Sequence, residues 1–401
     1  MLSQASRPHI AASVPVLREH GVAITRVFYQ RLFEAHPELN NLFNLGNQAN
    51  GAQQQSLAAA VFAYAANIDN PGALAPVASR IAHKHASVGI RPGHYPIVGR
   101  HLIGAIGDVL GEAASTDLLA AWDEAYWLLA GELIAAEARL SQAAGGETGE
   151  LQTLRVMETR RESDDVVSYY LQTPDGHSPG LFRPGQYVSV AVTFPGGLRQ
   201  LRQYSLSDAV GRNWWRITVK GEAGAGATPA GQVSNWLHAH VKAGDTLQVG
   251  LPYGDFTPAL DGDHPLVLLS AGVGITPMVS VLNTLAERRT ARPIVFAHAA
   301  RDGCHHALRG DLTAARAMLP NLLQVVFYEA PLAADATRGN HQPGRMALDA
   351  ILDERHRQAD YYLCGPAGFM QAQWRALVER GVPAERIQRE VFGPELLDHL
   401  V

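Results

Sequence analysis

The sequence predicts a multidomain chain with an all-α part, then an antiparallel β-barrel, then an α/β part built on a parallel sheet. Residues 1–140 are Ala-rich, with apolar residues at helical spacing, and residues 151–262 hold short runs in which polar and apolar residues alternate. Residues 263–401 alternate apolar runs with helical stretches. The polar segment SQAAGGETGE, residues 141–150, is predicted to be a linker because it carries paired glycines.

Composition restricts the class of protein. The 401 residues, 47 % hydrophobic and 18 % charged, suit a soluble chain of several domains. A net charge of -5 leaves no basic surplus for a nucleic-acid partner. There are only two cysteines, Cys304 and Cys364, and the N-terminus lacks the apolar core of a secretion signal. We therefore expect a cytoplasmic monomer.

One stretch is apolar enough to raise the question of a membrane span. Residues 266–286 carry no charge, and about 20 uncharged residues can cross a bilayer. Gly272, Gly274 and Pro277 interrupt the stretch, so it is better explained as a buried strand, a glycine turn and a helix. We expect no stable membrane insertion.

The middle part shows the clearest alternation. In YVSVAVTF, Val188, Val190 and Val192 fall on one face, and WWRITVK alternates in the same way. Both are predicted to be half-buried antiparallel strands that close into a small barrel. Further strands are expected at residues 151–160, 166–173, 200–207 and 245–251.

The last part repeats a strand and helix unit. The apolar runs LVLLS, PIVFAHA, LLQVVFYEA and YYLCGP are each followed by a helical stretch, and ligands of such sheets bind beyond the carboxyl ends of the strands. There Gly272 and Gly274 would let the backbone approach a phosphate, while Thr276 and Pro277 begin a helix. The spacing G-x-G-x-x-P departs from G-x-G-x-x-G, and a tight turn without a ligand is the alternative.

Two further stretches could hold a flavin. A flavin needs an aromatic side chain against its ring, donors at the ring edge and positive groups for its pyrophosphate. Tyr204, Ser205 and Arg202 of RQYS, with the backbone amides of Gln232–Ser234 in GQVSNWL, could supply them. An amphipathic edge strand is the alternative explanation for RQYSLS.

Six motifs occur in one order: RPGQY, RQYSLS, GQVSNWL, AGVGITPM, YLCGPAGFM and EVFGP. This series resembles the ferredoxin reductase superfamily, which implies an FAD barrel followed by an NAD(P)H domain that delivers hydride. The residues implied for FAD are Tyr187, Arg202, Gln203, Tyr204, Ser205, Gln232, Val233 and Ser234. Those implied for the dinucleotide are Gly272, Val273, Gly274, Ile275, Thr276 and Pro277, with Cys364 and Gly365 near the nicotinamide.

The same resemblance implies a role for the terminal motif, in which Phe392 would cover the flavin among Glu390, Val391, Gly393 and Pro394. The stretch GEAGAGATPAG before Gln232 is longer than is usual in that superfamily. Arg301 would favour the 2'-phosphate of NADPH and Asp302 would oppose it, so both nucleotides stay open.

The all-α part contains two histidines one residue apart. On a helix, His85 shares an apolar face with Ile81 and Val88, whereas His83 lies on the polar side with Arg80. A histidine on an apolar face is more often a packed core residue than a ligand. Four candidate partners exist, each of which is ordinary alone. Gln53 and Leu57 share one helix face, Tyr29 lies at the edge of a core, and Phe43 follows in HPELNNLF.

Taken together, FYQRLFEAHPELNNLFN, NQANGAQQQSLAAAVFAYAANIDN and IAHKHASVGIRPGHYPIVGRHL resemble the globin domain of bacterial flavohaemoglobins. The resemblance implies haem b, with His85 as the proximal iron ligand and Phe43 against the haem. It places Tyr29, Gln53 and Leu57 in the distal pocket, and Tyr95 and Glu137 as a proximal hydrogen-bonding pair. Lys84 and Glu390 would be charges between haem and flavin.

The activity that this resemblance implies is that of a nitric oxide dioxygenase, which converts NO and O2 to nitrate with electrons from NAD(P)H through FAD. One alternative is an oxygen-binding or sensing globin whose reductase keeps the iron reduced. The other is an alkyl or lipid hydroperoxide reductase, since a distal pocket with Leu57 would accept a lipid or another apolar ligand.

Overall fold

The computed structural model describes residues 2–224, 229–336 and 341–393. Within them the chain forms three parts in the predicted order, so the predicted fold class is confirmed. Pro394 of the terminal motif lies outside the described residues, as do residues 225–228 of the long stretch before Gln232.

The first part is a bundle of long helices. Its helices are α1 (Arg7–Ala35), α2 (Leu45–Ala49), α3 (Ala52–Ala66), α4 (Pro71–Val88), α5 (His94–Leu110) and α6 (Thr116–Ala144). The Ser115 hydroxyl accepts from Leu118 N at the start of α6. At the end of α6, Gly145 adopts a φ of 81°, a left-handed conformation that favours glycine.

Helix α6 extends beyond the expected boundary at residue 140, because residues 141–144 are helical rather than part of a linker. Its last turn packs on the barrel, where Leu140 and Ala144 contact a cluster that contains Tyr187 and Tyr253. The Ser141 hydroxyl is also buried and lies 3.4 Å from the Tyr253 hydroxyl. This burial explains why the helix continues.

The second part is a six-stranded antiparallel sheet. Its strands are β1 (Leu151–Arg161), β2 (Val166–Gln172), β3 (Tyr187–Thr193), β4 (Arg199–Ser205), β5 (Trp215–Lys220) and β6 (Thr246–Gly250), with α7 (Gln232–His240) between β5 and β6. The spatial order is β4-β3-β6-β1-β2-β5, and a bridge between Leu206 and Ile217 joins the two edges into a barrel.

The prediction that the strands containing Val190 and Ile217 are half-buried was wrong. In β3 only Thr193 is exposed, and in β5 every residue but the last is buried. The outer face of β3 meets α4 of the helical part, where Tyr187 packs with Ala86. The outer face of β5 meets the third part, where Arg216 pairs with Asp311. Neighbouring domains therefore bury what a lone barrel would expose.

The third part is a parallel sheet with helices on both faces. Its strands are β7 (Leu266–Ala271), β8 (Ile294–Ala300), β9 (Leu322–Tyr328), β10 (Gln342–Pro343), β11 (Asp360–Cys364) and β12 (Ile387–Glu390), and its helices are α8 (Ile275–Glu287), α9 (Arg309–Met318), α10 (Ala333–Ala336) and α11 (Ala367–Glu379). The order is β10-β9-β8-β7-β11-β12, and every described pair is parallel.

The uncharged stretch 266–286 forms strand β7, a short turn at Gly272–Gly274 and most of α8. Its apolar side chains lie in the core of the third part. Among the described residues, no helix combines the length and hydropathy needed to cross a membrane.

Candidate functional site

Three long helices bring His85, Tyr95 and Glu137 together. His85 Nδ1 lies 2.9 Å from Glu137 Oε1 and 3.2 Å from the Tyr95 hydroxyl, which itself donates to Glu137 Oε1 at 2.6 Å. Glu137 is only 2 % exposed. Its Oε1 carries both of these contacts, whereas its buried Oε2 has no partner among the described residues. The triad therefore fixes the orientation of the imidazole.

The triad leaves the other nitrogen of His85 available. The tautomer in which Nδ1–H donates to the carboxylate presents the Nε2 lone pair to a ligand, and Nε2 makes no hydrogen bond within the described part of the chain. The side chain remains 34 % exposed although its helix face is apolar. An imidazole held in this way by a carboxylate is typical of a metal ligand.

Tyr126 holds Tyr95 in place. The Tyr126 hydroxyl donates to the Tyr95 carbonyl oxygen at 2.6 Å. The Tyr126 ring packs directly on Gly99, where any Cβ would collide with it. Burial, together with the hydrogen bond to Glu137, raises the pKa of Tyr95 well above its usual value, so that the phenol remains a donor.

Tyr29 is buried in an aromatic cluster on α1. Its ring centroid lies 4.8 Å from that of Phe28, 5.8 Å from that of Phe33 and 5.7 Å from that of Phe43. Burial raises the pKa of Tyr29 to about 12, although the neighbouring amides of Gln53 and Gln48 act in the opposite direction. The hydroxyl is therefore a neutral donor beside two amides.

Leu57 is half-buried in the same apolar cluster as Tyr29 and Phe43. The structure thus brings together the three residues predicted for the distal pocket, Tyr29, Gln53 and Leu57, with Phe43, which was predicted to pack against the haem.

Gln48 is a polar residue beside Tyr29 that the sequence prediction missed. It lies on the five-residue helix α2, which begins at the N-cap Asn44. Its Oε1 accepts from Gln54 Nε2 at 3.0 Å. The N-cap pattern of Asn44 could have predicted this short helix, but not the direction of the Gln48 side chain.

The donor set around His85 fits haem. The described residues contain no group of three or more His, Cys, Asp or Glu side chains able to hold a metal ion. One imidazole, apolar surroundings and a phenol instead match a porphyrin-bound iron, which needs a single protein nitrogen on its proximal side. His85 is the residue that would supply it.

The second candidate site lies along β3 and β4. Tyr187 pairs with Ser205 across the two strands, and α7, which begins at Gln232, packs against β4. Burial lowers the pKa of Arg202, whose guanidinium donates to the Leu201 carbonyl oxygen at 2.6 Å. No carboxylate pairs with Arg202 in the described ranges, so a phosphate would supply the missing counter-charge.

The remaining residues predicted for the flavin surround this strand. Tyr204 is half-buried against the barrel core, which includes Val233. Gln203 is exposed, and its Nε2 donates to the Ser189 hydroxyl at 3.3 Å. Ser234 is buried in the first turn of α7.

The third candidate site is at the carboxyl edge of the parallel sheet, where the two glycine turns meet. Strands β7 and β11 are neighbours, and a Cβ at Gly274 would overlap the Cys364 carbonyl oxygen. Gly272 has a φ of 54°. The Thr276 hydroxyl donates to the Val273 carbonyl oxygen at 3.0 Å, and buried Ile275, Thr276 and Pro277 begin α8. This is the crevice in which doubly wound sheets bind nucleotides.

Cys364 and Gly365 follow β11 at this crevice. Burial raises the pKa of the Cys364 thiol, so it stays protonated and is not a nucleophile. Arg301 follows β8, which lies on the other side of β7 from β11, and is exposed. The Asp302 carboxylate is buried and accepts from the Cys304 and His305 amides within its own turn.

The terminal motif reaches the helical part. Glu390 ends β12, and Phe392 is 48 % exposed. Lys84 Nζ donates to the Gly393 carbonyl oxygen at 2.6 Å. A cleft at this junction is lined by Arg80, His83, Lys84, Tyr187, Asp255, Glu390 and Val391.

His83 lies on the polar side of α4, as predicted, but it is only 6 % exposed. Its Nδ1 accepts from Gly254 N at 2.9 Å, so it faces the barrel. Burial lowers the pKa of His83, which favours the neutral form that can accept this bond.

These three sites define the class of protein, an oxidoreductase that combines a haem-binding globin with a flavin and nicotinamide reductase. Family models match in the same order, with Globin at residues 26–133, Oxidoreductase FAD-binding domain at 153–257 and Oxidoreductase NAD-binding domain at 268–374.

The chain is 50 % identical over 402 aligned residues to the flavohemoprotein of Bordetella parapertussis, covering 98 % of this chain and 99 % of the relative. It is 48 % identical to the flavohemoprotein of Chromobacterium violaceum, covering 98 % of each. The chain belongs to the flavohemoprotein family.

Two solved structures extend the comparison. The crystal structure of the flavohemoglobin of Malassezia yamatoensis, which contains FAD and heme, matches with a TM-score of 0.87 and 29 % identity over 98 % of this chain and all of that one. The FAD/NAD-binding domain of the nitric oxide dioxygenase of Vibrio cholerae matches with a TM-score of 0.56 and 36 % identity over 61 % of this chain and all of that domain. Haem, FAD and a nicotinamide nucleotide are thus the cofactors of this family.

Proposed function

We propose that the protein is a nitric oxide dioxygenase, which converts NO and O2 to nitrate with electrons from NADH or NADPH and so removes NO. The observation that carries the proposal is the buried Glu137 carboxylate bonded to His85 Nδ1. The name of the Vibrio cholerae relative supports it for the reductase part.

In this proposal His85 Nε2 holds the haem iron, and Arg202, Tyr204 and Ser205 hold FAD at the end of β4. When bound, the haem supplies oxygen activation and the flavin converts a hydride into single electrons. The Gly272–Pro277 turn receives the nucleotide pyrophosphate, with Cys364 and Gly365 at the nicotinamide. Phe392 would cover the flavin, and the buried Tyr187 would help to hold FAD.

The proximal triad favours oxygen activation over oxygen storage. A carboxylate that accepts the Nδ1 proton gives the imidazole anionic character, which makes it a stronger electron donor. Glu137 is suited to this role because it is buried and keeps its own donor, Tyr95. On the distal side Tyr29 holds a proton towards the pocket throughout the neutral range, because its pKa is about 12.

The test measures NADH oxidation and nitrate under air, with and without NO. Each nitrate requires one electron, so one hydride supports two nitrate ions. We expect NO to accelerate NADH oxidation and nitrate to form in that ratio. NADPH is measured beside NADH, since exposed Arg301 favours a 2'-phosphate and the Asp302 carboxylate is occupied by its own turn.

The two alternative functions predict different results. A globin with a maintenance reductase would oxidise NADH slowly and without response to NO. A hydroperoxide reductase would respond to an alkyl or lipid hydroperoxide instead, through the apolar surroundings of Leu57. NADH oxidation that NO does not accelerate would contradict the proposal.

A further inference from the structure

A buried glutamine joins the candidate flavin strand to the helical part. Gln200 lies on β4 and its exposure is 0 %. Its Nε2 donates to the Asn40 carbonyl oxygen at 3.2 Å and to the Arg199 carbonyl oxygen at 3.1 Å. Beside it, Asn41 Oδ1 accepts from Arg199 N at 3.0 Å. Strand β4 is thus bonded to the turn that precedes α2.

The side-chain oxygen of Gln200, Oε1, accepts two hydrogen bonds. Oε1 accepts from Leu45 N, the first residue of α2, at 3.4 Å, and from Arg202 Nη1 at 3.3 Å. Arg202 is a residue expected to bind FAD, and Leu45 begins the helix that carries Gln48. One buried atom is therefore shared between the flavin site and the distal side of the haem pocket.

Helix α2 cannot hold its own position. A helix of five residues is too short to be stable without tertiary contacts. It carries Gln48, which bonds Gln54 and interacts with the Tyr29 hydroxyl. The contacts of Gln200 with Asn40 and Leu45 restrain its N-terminal end. Oε1 accepts from Leu45 N and Arg202 Nη1 at once, so if Arg202 turns to a phosphate, Oε1 is left to Leu45 N and this bond to α2 strengthens.

We propose that Gln200 is a positioning residue that couples FAD binding at Arg202 to the distal haem pocket through α2. With FAD bound, α2 holds Gln48 against Tyr29, and oxygen leaves the pocket slowly. Without FAD, or without the Gln200 amide, this restraint weakens. The inference rests on the proposed placement of FAD at Arg202 and of Tyr29 in the distal pocket, but not on reaction with NO.

The test compares oxygen dissociation from the full-length, haem-loaded, reduced protein with and without FAD, followed as carbon monoxide replaces oxygen. Loss of one buried hydrogen bond corresponds to about a fivefold change, and we expect FAD removal to raise the wild-type rate by about that factor. Gln200→Met, which keeps the length of the side chain, should raise the rate of the FAD-loaded protein equally. FAD removal from Gln200→Met should then add nothing.

Gln248→Met is the matched control. Gln248 lies on β6 of the same sheet, and its exposed amide donates within the barrel, to the Thr153 hydroxyl at 2.8 Å. This variant should keep the full effect of FAD. Equal FAD and haem absorbance per protein shows that the variants fold.

Three outcomes decide the question. A wild-type rate that is independent of FAD, or an effect of FAD that persists in Gln200→Met, overturns the coupling. An unchanged rate in Tyr29→Phe would overturn the distal assignment, and the coupling with it. If Tyr29→Phe changes the rate and FAD does not, only the coupling fails, and the proposed activity stands.

Discussion

The two sides of the candidate haem pocket hold their polar groups in different ways. On the proximal side, His85, Tyr95 and Glu137 come from three helices of at least 17 residues and bond to one another. On the distal side, Gln48 lies on a five-residue helix, and its buried Nε2 has no hydrogen-bond partner among the described residues. The proximal geometry is fixed by the fold, whereas the distal geometry depends on what binds.

The largest effect should come from removing the proximal imidazole. Because the proposal assigns the haem iron to His85, we expect His85→Ala to lose the haem Soret band while flavin absorption remains. His83→Ala is the control, because His83 contacts the barrel at Gly254 N and should leave haem binding intact. An unchanged Soret band in His85→Ala would contradict the ligand assignment.

The next largest effect should come from changing the carboxylate of Glu137. Glu137→Gln keeps an oxygen that can accept from His85 but removes the charge, so the iron potential should rise and NO-dependent NADH oxidation should fall about 10- to 100-fold. Tyr95→Phe removes a donor from the same carboxylate oxygen. The carboxylate then becomes more basic, and the potential should fall. Redox titration of both variants tests this, and shifts of the same sign would contradict it.

How far the sequence predicts this site depends on which elements supply it. The helical phase of Ile81, His85 and Val88 distinguishes His85 from His83, because one long helix places all of them. Glu137 and Tyr95 are predicted only through the resemblance. From the sequence alone, Glu137 is expected to lie at a solvated helix end. Its partners Tyr95 and His85 lie 42 and 52 residues away along the chain.

The residues that sequence reasoning missed are those whose surroundings come from another domain. Gln200 and His83 look like surface positions on their own strand or helix. Each is buried because the helical part and the barrel cover one another. The half-buried prediction for β3 was wrong for the same reason. Periodicity reports the face of an element and carries no information about a second domain docking on the opposite face.

The distal phenol should have a moderate effect. Tyr29→Phe removes a donor in the pocket, and we expect oxygen to dissociate about tenfold faster. Because the pKa of Tyr29 is about 12, the wild-type hydroxyl stays protonated below that value. Oxygen dissociation should therefore be flat from neutral pH to about pH 10 and should rise only as the phenol ionises near its pKa. A rise centred near the ordinary tyrosine pKa would contradict the effect of burial.

The smallest effect should come from the distal amide that is held least firmly. Gln48→Leu removes the side-chain acceptor of Gln54, but Gln54 Nε2 keeps the Gln48 carbonyl oxygen, 3.3 Å away. Oxygen dissociation should therefore rise by no more than about fivefold. Gln54→Leu, which loses both bonds, is the matched comparison. If Gln48→Leu instead raises the rate of oxygen dissociation as much as Tyr29→Phe does, the amide and the phenol act as one unit. The polar groups of the distal side are then held as rigidly as those of the proximal side.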